Sequence, residues 1–547
     1  MLYRAIFAFI IFISLLYSQP NTGGSGLFMP NYVGVWFAAG LIILVTLQRV
    51  VSAKEFAVSW VGNVWGLAGL VIFGFALVNT ATSFSQQMLF LGGIIGAWLF
   101  FYALMQWRIT HALFLKILTL VCLLGVVHAL VATVQLLDPF RVWYTLTGYL
   151  PFGVVTNRPV GIIQQVNMTA TFMATVAVMA LYVVSHASFG RYKWYWQAVV
   201  WLAVLLSGYI LLLSGSRAGW LALLVALPLV LAVRFVALKK HPVRLMIWLA
   251  LVVLAVLLAL WFPGKASQIE LLSDKLNDVA MGTDVRLFLY RTSWQLFLTS
   301  PWLGFGLDGY TPAFVAYAQT AGVPAAFSEL KLHQFLHPHN EVLYWMLQSG
   351  VVALIGIGLM IAHYVYTLFK QRAQFALGVL ALAIPMLIQT QLSSPFVFSA
   401  IHLFLLLFLL HYGVRNSKKR VRFKVGSNQV LVGRGLLTVL MLGWLGVAYW
   451  SVKSIQDVYQ YEYRLFLTAK QTPEEIRDMH YFEYASYHPV FKDSVHGVMN
   501  KMLIKAIADN NRYDIQRFIW WAEAQAGQSR SSLTSKNLAK ARTVLLK

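Results

Sequence analysis

Residues 195–237 read YWQAVVWLAVLLSGYILLLSGSRAGWLALLVALPLVLAVRFVA. Two apolar runs, 195–213 and 217–237, are divided only by Ser214-Gly215-Ser216. Each supplies the roughly 20 residues that a helix needs to cross a hydrocarbon core about 30 Å thick. The pair therefore predicts two membrane-spanning helices joined by a tight turn. Working outward, comparable runs recur at 5–17, 31–48, 58–78, 88–106, 112–137, 166–184, 244–262, 341–369, 374–390, 395–412 and 431–451, thirteen segments in all. The expected fold is an all-α polytopic membrane protein. Composition agrees, because 547 residues that are 59% hydrophobic and 11% charged cannot cover several water-soluble domains. The first segment follows Met1-Leu2-Tyr3-Arg4, and no small-x-small cleavage site follows Leu15-Leu16-Tyr17-Ser18, so it reads as a retained anchor. The one cysteine, Cys122, lies inside an apolar run, which excludes a disulfide framework or a cysteine-based zinc site within the chain.

The formal charge of +23 would, on a polar chain, point to nucleic acid or acidic lipid. Its distribution gives another reading, since Lys and Arg collect on the cytoplasmic side of short loops. With the N-terminus inside, the inner loops are 49–57, 107–111, 185–194, 234–244, 370–373 and 413–430. Together with Arg4, Lys116 and Arg434 they carry 20 basic residues and a single acid, Glu55. The outer loops carry eight of each, and the tail 452–547 carries 14 basic and 10 acidic residues. Most of the positive charge is thus an orientation signal, and nucleic acid is not an expected partner.

Two domains are expected: a bundle over 1–451 with a long outer loop at 263–340, and an outer helical tail over 452–547. In the tail, Thr472-Pro473-Glu474-Glu475 has the form of a helix start. Tyr513 to Ala526 mixes Ile515, Phe518, Ile519, Trp520 and Trp521 with charges. The tail reads equally as a cap on the bundle and as a docking element for an acceptor.

Several outer polar residues go beyond what the fold requires, and ionisable groups near membrane depth tend to mark function. Arg217 follows Ser216, a plausible cap, and sits in the first turn of a helix, where a cation opposes the helix dipole unless an anion is present. It reads either as an arginine snorkelling to the interface or as part of an anion site. Arg286 and Arg291, five residues apart on one helix, point in different directions, so only one is expected to aim at the bundle. Pro301-Trp302-Leu303-Gly304-Phe305-Gly306 reads as a turn, without the strand and crossover helix of a dinucleotide site. His333, His337 and His339 lie within seven residues, a grouping open to metal binding, general-base chemistry or packing. His339, Asn340 and Glu341 open the segment 341–369; chemistry is assigned to His339 first and His337 second. The segments starting at 166, 217, 341 and 395 all begin on the outer side. Their N-termini, at Gln164-Gln165-Val166-Asn167, Ser216-Arg217, His339-Asn340-Glu341 and Ser393-Ser394-Pro395, would together hold a large anion such as a pyrophosphate.

His337-Pro338-His339-Asn340-Glu341 opening a span, Ser216-Arg217-Ala218-Gly219-Trp220, and Arg286 ahead of Pro301-Trp302-Leu303-Gly304-Phe305-Gly306 resemble the O-antigen ligase and polymerase superfamily over about residues 150–400. Within it, Arg158 to Thr171 resembles the Gln-Pro-Asn-type motif of bacterial protein O-oligosaccharyltransferases that glycosylate pilins. The resemblance implies a multi-pass inner-membrane glycosyltransferase with a periplasmic site and tail, needing no cofactor and no metal. Its donor would be an undecaprenyl-diphosphate-linked oligosaccharide, and its acceptor a Ser or Thr of a pilin-like protein. It implies His339 as the catalytic histidine with His337 second, and Arg217 and Arg286 as diphosphate binders. Gln165 and Asn167 would be donor or acceptor contacts, with Arg158, Arg291, Asn340 and Glu341 as further substrate-binding candidates. Val166 stands where the motif has proline, and Ser394-Pro395-Phe396-Val397-Phe398 lacks the acid before the proline and the tyrosine after it. The alternatives are an O-antigen ligase or polymerase using the same donor, and a transporter; a transporter would show matching halves with interrupted spans, and none is visible in the sequence.

Overall fold

A computed structural model describes residues 2–17, 32–80, 82, 84–137, 159–261, 285–321, 337–393, 395–424 and 426–469, with isolated residues between 503 and 544. In chain order the elements are α1 (Leu2–Leu16), α2 (Val33–Ala53), β1 (Glu55–Ser59), α3 (Trp60–Ala76), α4 (Phe84–Gln106), α5 (His111–Leu137), α6 (Val166–Val184), α7 (Trp194–Ser214), α8 (Arg217–Lys239), α9 (Pro242–Trp261), α10 (Val285–Thr299), α11 (Tyr310–Ala321), α12 (Glu341–Ser349), α13 (Val351–Phe369), α14 (Ala373–Leu392), α15 (Pro395–Phe398), α16 (Ala400–Val414), β2 (Lys418–Arg422) and α17 (Ser427–Ala469). Among the described residues nine helices are long and apolar enough to cross a membrane. Four shorter apolar helices, at 6–16, 60–76, 90–106 and 400–414, complete the thirteen expected positions. The chain is a helical, multi-pass membrane protein.

Helix α6 is the centre of the bundle. It is mainly apolar, with buried threonines that are hydrogen-bonded, and 83% of its span is buried, against 11% for the peripheral α9. It packs on α5, α7, α8 and α14. The approach of α8 is close: a Cβ on Gly219 would lie 2.7 Å from the Ala170 Cβ of α6, so only glycine fits there.

The six loops expected to share one side do meet at one end of the bundle. His111 Nδ1 lies 2.8 Å from the Tyr412 hydroxyl and His111 Nε2 lies 3.0 Å from His186 Nε2. Arg234 and Arg244 donate to the Ser185 hydroxyl and the His186 carbonyl, and the Gln371 amide donates to the Gly413 carbonyl. One contact there departs from an all-helical expectation: β1 and β2 form an antiparallel ribbon, Glu55 opposite Arg422 and Ser59 opposite Lys418. Glu55 bridges Arg420 and Arg422. The sequence Lys418-Lys419-Arg420-Val421-Arg422 has no alternating apolar face to announce a strand.

Three further boundaries differ from expectation. The segment 341–369 is two helices, α12 and α13, broken at Gly350, whose φ of +64° is left-handed. The segment 395–412 breaks after α15, and the N-cap of α16 is Ser399, not Ser393, which ends α14. Helix α17 runs through residue 451 without a break for 43 residues, about 64 Å at 1.5 Å per residue and twice the thickness of a hydrocarbon core. The helix start expected at Thr472-Pro473 lies outside the described residues. Ile515 and Ile519, one helical turn apart in the expected amphipathic stretch, are helical and buried.

Candidate active site

At the end of the bundle opposite the cations, three helices begin with side-chain caps. Gln165 Oε1 accepts from the Met168 amide at 2.6 Å at the start of α6, Ser216 Oγ from the Gly219 amide at 3.3 Å at α8, and Asn340 Oδ1 from the Leu343 amide at 3.0 Å at α12. The first two starts are tied together, because the Ser216 hydroxyl donates to Asn167 Oδ1 at 2.7 Å. The amide oxygens of Gln165 and Asn167 are therefore committed to architecture, and what these side chains can offer a substrate is their amide nitrogens. Arg217 is the first residue of α8, partly buried beside this junction.

The second half of the mouth is the turn 337–340. His339 has a φ of +54°, a conformation rare for a side chain with a Cβ and concentrated at functional sites. Two bonds hold it, one of them from a hydroxyl shared with the Gln391 carbonyl. The His339 amide donates to His337 Nδ1 at 3.1 Å, and the Tyr290 hydroxyl donates to the His339 carbonyl at 3.1 Å and the Gln391 carbonyl at 2.7 Å. Asn340 Nδ2 reaches the same Gln391 carbonyl at 3.2 Å. Accepting at Nδ1 fixes the neutral His337 as the Nε2–H tautomer and gives it a supporting role, with the two rings edge to face at 4.4 Å.

Electrostatics separate the two histidines from ordinary ones. Burial, and after it the Arg286 charge, lower the His339 imidazole to about 4. Burial, then the proximity of His339, hold His337 well below its usual value. Both rings are neutral at physiological pH, so His339 carries a lone pair and can take a proton. The same coupling places Arg286 within electrostatic reach of His339. Tyr290 is four residues after Arg286 and shares its face of α10. Arg291 lies about 140° around that helix from Arg286 and is exposed, so the expectation that only one of the two arginines aims inward resolves to Arg286.

Glu341 is buried, and its Oε1 accepts from the Phe396 amide at 3.1 Å, which ties α12 to α15. That bond takes up a backbone donor next to Ser393-Ser394-Pro395, one of the helix starts expected to face an anion. Pro301 to Leu307 acts as a clamp behind α12: the Phe305 and Gly306 amides donate to the Leu347 and Gln348 carbonyls, and Leu307 to Ala76 of α3. Gly304 is required there, since its φ is +66° and a Cβ would lie 2.6 Å from the Leu347 oxygen. Arg158 and His333 lie outside the described residues.

Nothing in the pattern of residues singles out Gln389, Gln391 or Tyr290. Gln389 accepts from Thr171 of α6 at 2.8 Å, while Gln391, two residues on, holds Asn340 and Tyr290. The end of α14 thus joins the α6/α8 junction to the histidine turn. A glutamine near the end of an apolar run is read as a span terminus, and only the three-dimensional neighbours reveal its use. Among the described residues no cluster of three His, Cys, Asp or Glu side chains could hold a metal ion.

Fold and site together define a multi-pass membrane protein with a neutral histidine, a nearby guanidinium and capped helix starts gathered at one mouth of the bundle. Residues 202–358 match the O-antigen ligase family, a span of 157 residues that contains Arg217, Arg286, His337, His339, Asn340 and Glu341. That family implies glycosyl transfer from lipid-linked donors in a membrane. Comparison with curated proteins returned no match.

Proposed function

We propose that this chain transfers a preassembled oligosaccharide from an undecaprenyl-diphosphate carrier to a serine or threonine hydroxyl of a periplasmic, pilin-like protein. The observation that carries the reading is the neutral His339 on a tethered left-handed turn, with the Arg286 charge acting on it. The acceptor oxygen attacks the anomeric carbon as the bond from that carbon to the diphosphate oxygen breaks, and the hydroxyl proton passes to His339. Attack opposite the leaving group inverts the anomeric centre. Charge grows on the departing diphosphate, so Arg286 and Arg217 favour the transition state over the ground state. Arg158, Asn340 and Glu341 complete the proposed substrate contacts, with the amide nitrogens of Gln165 and Asn167. An alternative role for His339 is to orient the acceptor.

The family match supports the donor class, and the Gln165 to Asn167 segment with the tail beyond 452 supports a protein acceptor. In this reading the N-terminus and the cation-rich end are cytoplasmic, and the histidine turn and tail are periplasmic. Expression with a lipid-linked glycan pathway and a candidate pilin, in a host lacking its own ligase, separates the acceptors. Intact-mass measurement should find glycosylated pilin while a lipopolysaccharide gel stays unchanged. Glycan appearing only on lipid A-core would replace the protein acceptor with the ligase reading.

A further inference from the structure

The cation-rich end holds a cluster that glycan transfer does not use. His111 at the start of α5, His186 after α6, Arg234 on α8, Arg244 on α9, and Tyr412 and Arg415 at the end of α16 come together there. His111 bonds both Tyr412 and His186. The Arg415 guanidinium lies 3.9 Å from the Tyr412 ring centroid, and that of Arg234 lies 5.2 Å from the Tyr182 ring centroid. Helix-end carbonyls take some of the donors: Arg234 meets Ser185, Arg244 meets Val184 and His186, and Arg415 meets Tyr412. A guanidinium has five N–H donors. In these bonds Arg415 spends one, and Arg234 spends two.

Among the described residues no salt bridge joins an acid to these three guanidiniums. The single acid in these loops, Glu55, is engaged by Arg420 and Arg422 on the ribbon. The local excess of positive charge shows in its neighbours. Burial and the charges of Arg420, Arg49 and Arg415 push the Lys418 ammonium down to about 8, and burial, Arg234 and His111 lower the His186 ring to about 3. Partly buried cations without a counter-ion are costly, and planar guanidiniums match phosphate oxygens in pairs. Depth gives the source of the anion. Trp194 and Tyr195, exposed at the start of α7 a few residues after His186, are the residue types that sit at headgroup level.

We infer that Arg234, Arg244 and Arg415, with His111 and His186, form a binding site for the phosphate headgroup of an acidic membrane phospholipid. Basic pockets between helices at this level recognise such headgroups, each cation contributing enough that losing two weakens binding about tenfold or more.

The test uses the full chain in detergent, measuring bound lipid by native mass spectrometry and the thermal midpoint during titration. Phosphatidylglycerol should bind saturably and raise the midpoint, and phosphatidylcholine should do neither. Arg234→Gln with Arg415→Gln should weaken phosphatidylglycerol binding about tenfold, while Arg372→Gln with Lys424→Gln, two exposed cations at the same end, should leave it unchanged. If the first double variant does not fold, Arg415→Gln alone is compared with Arg372→Gln alone. Equal binding of the two lipids by the wild type, or equal loss in cluster and control variants, overturns the site. Inorganic phosphate reproducing the whole midpoint shift would overturn the lipid as the source of the phosphate.

Discussion

Tyr290→Phe isolates the tether that holds His339. The substitution keeps the ring and deletes one hydroxyl, which donates to the His339 carbonyl at 3.1 Å and to the Gln391 carbonyl at 2.7 Å. A hydrogen bond of this kind has a net worth of about 1 kcal/mol, and the two carbonyls it shares would lose a partner together. A loss of about 1–2 kcal/mol falls on a turn already in a left-handed conformation. If the loss appears as misplacement of the proton acceptor, kcat should drop by about 5–30-fold. KM for the lipid-linked donor should hold, because Arg217 and Arg286 are untouched. The assay is a time course of pilin glycosylation by purified protein, read by intact mass at several donor concentrations. A kcat within twofold of wild type, or a rise in donor KM with kcat unchanged, would refute the idea that Tyr290 positions His339.

Four other outcomes follow from the same geometry. With His339 lowered to about 4, transfer should stay flat from pH 7 to about 5.5 and decline only as the ring protonates near 4; a decline centred on 6.5 would show an unperturbed histidine. Protonation also favours the unfolded chain, whose histidines titrate near 6.5, so this residue's share of stability is lost as pH falls from about 6.5 toward 4. Arg286→Gln should lower kcat by about 10²-fold and move the surviving activity's acid limb to higher pH, whereas Arg291→Gln should leave both nearly unchanged; equal effects would reverse the assignment between the two arginines. Gly219→Val should destabilise by about 1–3 kcal/mol, seen as a lower thermal midpoint, because its Cβ meets Ala170.

The spans were legible because twenty apolar residues in lipid allow only one regular structure, and the sorting of charge onto one end followed from thirteen such segments. The histidine turn was legible from His337-Pro338-His339, where a proline and a helix start coincide. What was hidden has specific physical causes. The break at Gly350 is marked only by the short polar step Gln348-Ser349-Gly350 within a run long enough to read as one span, and the clamp from Pro301 to Leu307 that supports it is distant in sequence. The start of α16 moved to Ser399 because Phe396 gives its amide to Glu341, a partner 55 residues away. The capping use of Gln165 and Asn167, whose amide oxygens serve the helix starts of α6 and α8 and leave the amide nitrogens for the proposed substrate contact, is equally hidden in the sequence. A capping residue and a ligand contact share the same polar chemistry, and only the neighbour in space separates them.

The role of His339 as proton acceptor is tested by comparing wild type with His339→Ala in glycan transfer to a pilin, with both proteins shown to be folded by size-exclusion profile and to bind the lipid-linked donor equally. The transfer rate should fall by about 10²–10⁴-fold with donor binding retained. Transfer near the wild-type rate by the folded His339→Ala protein would contradict that role.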